Sequence, residues 1–91
     1  MFHVYIIQSK WNKSYYVGSC KDLSLRVAQH NRGLVKSTKR YIPWAIVYRE
    51  DHSDLRSARR RELQIKSWKK RAAIEGLVKH FKNLVQIEDP R

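Results

Sequence analysis

Along residues 3–8 apolar and polar positions alternate among β-branched side chains, which predicts a strand. Residues 9–14 are polar and include Asn12, a composition that suits a hairpin loop. Residues 15–19 then read as the partner strand. Because strand side chains alternate, Tyr5 shares a face with His3 and Ile7, and Tyr16 shares one with Gly18. Asp22 is a good N-cap for a helix running to about Arg32, with Gly33 as its stop. On that helix Arg26 and His30 are four apart and point the same way, flanking the apolar stripe of Leu23 and Val27 beside the core. Residues 33–43 form a basic loop, and residues 44–48 a third strand. Ser53 or Asp54 can cap a second helix from Leu55 to about Trp68. A third helix, from about Arg71 to Leu84, places Ile74, Leu77, Val78 and Phe81 at helical spacing, although Gly76 weakens it. The order β-β-α-β-α-α predicts an α+β fold, a three-stranded, mostly antiparallel sheet flanked by helices. One domain spans residues 1–85, and residues 86–91 form a tail whose last few positions are frayed. There is no internal repeat, linker or low-complexity segment.

One position breaks the apolar pattern. Positions 55, 58, 62 and 65 step by three, four and three, so Leu55, Ala58 and Ile65 share a helix face with Glu62. A carboxylate in an apolar stripe is costly unless it has a partner. Arg59, Lys66 or a backbone donor could supply one. The other reading is a metal ligand or an acid/base. A single carboxylate would hold Mg²⁺ weakly, so the ion would keep most of its waters and lean on substrate phosphates.

Charge changes the picture more than length does. Twenty Lys and Arg against eight Asp and Glu give +12 on 91 residues. Such a field favours polyanions, and nucleic acid is the commonest in a cell. Composition alone does not separate binding from cutting. No stretch approaches the ~18 apolar residues needed to span a membrane, and the start lacks the basic n-region and cleavage site of a signal peptide. The lone cysteine, Cys20, excludes an internal disulfide and a thiolate zinc site, and a reducing, cytoplasmic location is expected.

The segments Val4-Tyr5-Ile6 and Tyr16-Val17-Gly18, followed by Arg26 and His30 on a helix and Glu62 on a later one, resemble the GIY-YIG nuclease superfamily. The resemblance covers about residues 3–80 and is greatest to the small single-domain bacterial members. It extends to Asp22, Gly33, Lys36-Ser37-Thr38-Lys39, Pro43-Trp44, Ala58 and Lys66-Ser67. His3 and Val4 stand where the family name has Gly and Ile, and Val17 stands for Ile.

The resemblance implies an endonuclease with Tyr5, Tyr16, Arg26, His30 and Glu62 in one active site. Glu62 would bind the metal, Mg²⁺ or Mn²⁺. Arg26 would stabilise the phosphoryl charge, since a guanidinium is always charged and matches phosphate geometry. Tyr16 is the implied general base, although a free phenol, with a pKa near ~10, is a weak choice at neutral pH. Tyr5 would position the water or Arg26. His30 would bond the scissile phosphate or help Tyr16 move a proton. Gly18 would leave room for Arg26 or the phosphate to approach the sheet.

Lys36, Lys39 and Arg40, with Lys69, Lys70 and Arg71, are candidate phosphate grips, which set affinity rather than sequence preference. Arg59, Arg60 and Arg61 spread around a helix, so only part of that run can face one ligand. Trp44 and Trp68 read as packing residues, and Trp11, in a loop, is the exception that could meet a base. The expected partner is nucleic acid, DNA first, with room for a protein partner that supplies specificity and no membrane involved. Two alternatives stand beside cleavage: a binding module that keeps the fold without cutting, and a ribosomal or RNA-binding accessory protein, which leaves Glu62 unexplained.

Overall fold

The computed structural model describes residues 1–87. Strand β1 (Phe2–Ser9) is central, pairing antiparallel with β2 (Tyr15–Cys20) on one side and β3 (Trp44–His52) on the other. Helices α1 (Leu23–Asn31), α2 (Leu55–Ser67) and α3 (Arg71–Ile87) complete the expected β-β-α-β-α-α order of an α+β fold. A short 3-10 turn, Lys39–Tyr41, precedes β3.

The central place of β1 follows from its residues. Val4, Tyr5, Ile6 and Ile7 are all buried, as expected of a strand covered on both faces. Val4 and Ile6 face α2 and α3, joining Val17, Tyr48, Ala58, Ile65 and Val78. Tyr5 and Ile7 face α1, joining Leu23 and Trp44. The predicted helix signals hold: the Asp22 carboxylate accepts from the Leu25 N–H at 3.0 Å, Asp54 accepts from the Ser57 N–H at 2.7 Å, and Gly33 adopts φ +77°. That left-handed conformation suits glycine.

Two boundaries and one core assignment differ from expectation. Strand β3 continues past Tyr48 to His52 because Phe2–Tyr5 of β1 pair with it there and its charged residues find partners across the sheet and on α2. Asp51 bonds His3 at 2.6 Å and Arg49 at 3.0 Å, and Glu50 accepts from Arg61 of α2 at 2.9 Å. A bulge opposite Ile6 and Ile7 also breaks the alternation that would have revealed the strand. Leu55 is 41% exposed, not core, since it opens α2 directly after the Asp54 cap. Helix α3 runs to Ile87, across the expected start of the tail, and residues 88–91 lie outside the described ones. Among the described residues no helix is long and apolar enough to cross a membrane.

Candidate active site

The α1 face of the sheet carries an unusual core. Position 30 follows Leu23 and Val27 at helical spacing, so His30 enters the stripe itself and is fully buried. Its Nε2 lies 2.8 Å from the Tyr5 hydroxyl and its Nδ1 lies 2.7 Å from Thr38 Oγ1. The Thr38 hydroxyl in turn reaches the Val35 carbonyl at 3.4 Å. That arrangement assigns one polarity throughout: Tyr5 O–H donates to Nε2, Nδ1–H donates to Thr38, and Thr38 donates to Val35. Burial, reinforced by the positive charge of Arg26, lowers the His30 pKa to about 4, so its ring is neutral at pH 7.

Tyr5 is 1% exposed. Burial pushes its phenol up to about 12, outweighing the opposing influence of the adjacent Arg26 guanidinium. Tyr5 therefore stays a phenol, donates its O–H in the hydrogen bond to His30, and leaves its oxygen lone pairs facing Arg26. Contact with that hydroxyl holds the Arg26 pKa above its usual range. Arg26 itself is half-buried and donates to Gln29 Oε1 at 3.2 Å. Gly18 sits opposite Tyr5 in the ladder. A Cβ there would lie 2.5 Å from the Tyr5 hydroxyl oxygen, so the glycine makes room for Tyr5, not for Arg26 or a phosphate as expected from sequence. Tyr16 is half-buried, its ring centroid 5.0 Å from that of His30 and 6.4 Å from that of Tyr5. Burial raises the Cys20 pKa as well, which keeps it a thiol.

Glu62 reaches the same edge strand from the other face. Ser19 of β2 donates to its Oε1 at 2.5 Å, and Lys66, one turn along α2, donates to its Oε2 at 2.5 Å. The Lys66 ammonium also lies 5.9 Å from the Tyr16 ring centroid, so one side chain spans the carboxylate and the tyrosine around the edge of β2. The Glu62 side chain is 18% exposed and opens to solvent there. Among the described residues no group of three or more His, Cys, Asp or Glu could hold a metal, so Glu62 offers a one-carboxylate site at most. A carboxylate has about four lone-pair positions, which leaves acceptor capacity beyond Ser19 and Lys66.

Tyr5, Tyr16, Arg26 and His30 thus gather on one face, and Glu62 joins them at the margin of β2. His30 does not meet solvent, so in this arrangement it touches no phosphate. Ser19 and Thr38 had gone unassigned. Ser19 was findable, since alternation after Gly18 turns it towards α2, where Glu62 waits. Thr38 had only its place in the Lys36-Ser37-Thr38-Lys39 stretch as a signal. Lys36, Lys39, Arg40, Lys69 and Lys70 are all exposed, whereas Arg61 is engaged by Glu50.

The GIY-YIG catalytic domain matches residues 1–75 of this chain. A UPF0213 protein of Staphylococcus haemolyticus is 36% identical over 74 residues, covering 80% of this chain and 89% of that protein. A UPF0213 protein of Staphylococcus aureus is 39% identical over 66 residues, covering 71% and 79% respectively. No solved structure is significantly similar.

Proposed function

The chain belongs to the GIY-YIG nuclease family, and we propose that it is a divalent-metal-dependent endonuclease acting on DNA with little sequence preference of its own. The observation that carries this reading is the convergence of Arg26, Tyr16 and Glu62 on the edge strand β2, two from the α1 side and one from α2. A basic surface of +12 supports a polyanionic substrate.

Glu62 would hold Mg²⁺ or Mn²⁺ with waters and substrate oxygens completing the shell. When bound, the ion supplies Lewis-acid stabilisation of the phosphoryl oxygens. Arg26 presents a fixed guanidinium to the same phosphate and offsets the charge that grows as water attacks. Tyr16, accessible at the strand edge, would orient that water and, as the phenolate, take its proton to become the phenol. The phosphorus–oxygen ester bond breaks, and the leaving oxygen takes a proton from solvent. Tyr5 and His30 are positioning residues that act through Arg26: a phenol held up at about 12 and an imidazole held down at about 4 exchange no protons near pH 7. Lys36, Lys39, Arg40, Lys69 and Lys70 hold flanking phosphates.

One observation favours a second reading. Both Glu62 oxygens already have partners, which would also satisfy a structural carboxylate in a binding module that does not cut, or that cuts only with a protein partner. Nicking of supercoiled and branched DNA with Mg²⁺ or Mn²⁺ separates the two. Native protein should cut, and Arg26→Ala and Glu62→Ala should each lose at least about 100-fold. Binding without cleavage in either metal would favour the second reading. Undiminished cleavage by both variants would remove the proposed site altogether.

A further inference from the structure

The hairpin tip between β1 and β2 is held from two sides. Buried Ser9 donates through Oγ to the Tyr41 carbonyl at 2.7 Å and accepts from the Trp11 and Asn12 N–H groups at 3.0 and 3.1 Å. The Lys10 N–H donates to the Pro43 carbonyl at 2.8 Å. On the other side Arg71 donates to the Lys13 carbonyl at 2.9 Å and lies 4.6 Å from the Tyr15 ring centroid. Fixed this way, Trp11 stacks one indole face on Tyr41, with centroids 5.5 Å apart and planes 17° apart, and remains 69% exposed.

An exposed tryptophan alone signifies little. Here its backbone is pinned and its ring is already stacked, so little entropy remains to be lost on receiving another flat ring. The hairpin that carries it also lies between two basic groups that are distant in sequence. Lys39 and Arg40 share the 3-10 turn with Tyr41. Lys66, Lys69, Lys70 and Arg71 surround Tyr15 in a hollow of about 270 Å³. Tyr41 packs on the same cluster as Tyr5 and Tyr16, so the stack borders the α1 face of the candidate site. Along β1 it lies on the order of 10 Å beyond the position opposite Tyr16.

We propose that Trp11 on Tyr41 is a platform for an unpaired nucleobase, with Lys39, Arg40, Lys69 and Lys70 holding the adjoining phosphates. The substrate is then nucleic acid with a single-stranded segment beside the bond to be cut. The inference rests on the nucleic-acid reading of the site. An indole face accepts any base, which agrees with low sequence preference, while a base inside a duplex cannot reach it.

The test is fluorescence anisotropy with a short labelled oligodeoxythymidylate and a blunt duplex of equal length, without divalent cation. Trp11→Ala should weaken single-strand binding roughly tenfold or more and change duplex binding less than about twofold. Trp11→Phe should retain most of the single-strand affinity, which a loss of folding would not allow. Equal single-strand affinity of native protein and Trp11→Ala would overturn the platform and leave Trp11 for a protein partner. Equal losses on both ligands would overturn it as well. Because no metal is present, the result is independent of cleavage: Trp11-dependent binding by a protein that never nicks DNA keeps the platform and removes the hydrolysis.

Discussion

Strand β1 sends its side chains to two unlike faces. Towards α2 and α3, Val4 and Ile6 enter an apolar cluster with Val17, Ala58 and Ile65. Towards α1, Tyr5 enters a hydrogen-bonded chain running through His30 to Thr38 and ending on the Val35 carbonyl. Both faces are equally dry. The apolar face asks only for volume and shape. The polar face asks for direction, since each buried donor must find its acceptor. The first face holds the domain together, whereas in the function proposed above the second uses the rigidity of a satisfied network to aim one group, Arg26, at the margin of β2.

The contrast can be broken by substitution. The largest expected effect on stability lies on the apolar face: Ile65→Ala should cost about 2–5 kcal/mol in urea unfolding, with cleavage by the remaining folded protein unchanged. Gly18→Ala should follow at about 1–3 kcal/mol. Its methyl would displace a ring that is fully buried and bonded to His30, so it should also abolish cleavage in protein that remains folded by circular dichroism.

The polar face should also carry its own pH dependence. The unfolded chain protonates His30 near 6.5 and the folded chain only near 4. Between those values the unfolded state binds the extra proton, so stability falls as pH drops, by up to about 1.4 kcal/mol per pH unit. Thermal melts of native protein and His30→Gln across pH 4–7 should show this slope reduced in the variant. The smallest effect, below about 0.5 kcal/mol, is expected for Leu55→Ala, because Leu55 shares the helical register of the apolar face but is 41% exposed. A loss as large as that of Ile65→Ala would show that register alone assigns residues to that face.

Most of the fold was legible because caps, turns and periodicity agreed. Asp22, Gly33 and Asp54 act where their types suggest. The end of β3 was hidden because charge reads as solvent until its partners on β1 and α2 are known. In the site, Glu62 announced itself as a carboxylate in an apolar stripe. His30 was placed beside the core because it is polar, although its spacing from Leu23 and Val27 put it within the stripe. The partners that make its burial possible lie elsewhere in the chain, at Tyr5 and Thr38, and helical periodicity cannot report a contact across the fold. Resemblance supplied Tyr16, and its proposed role as base still rests there.

The direct measurement of the aiming role is the single-turnover nicking rate of Thr38→Val against Ile65→Ala, at a temperature where both are folded. Thr38 is fully buried and touches no substrate. Its loss should slow cleavage at least about tenfold by releasing His30, Tyr5 and then Arg26, while DNA affinity stays native and Ile65→Ala cuts within about twofold of the native rate. Native-like cutting by Thr38→Val, or equal slowing in both variants, would contradict the account.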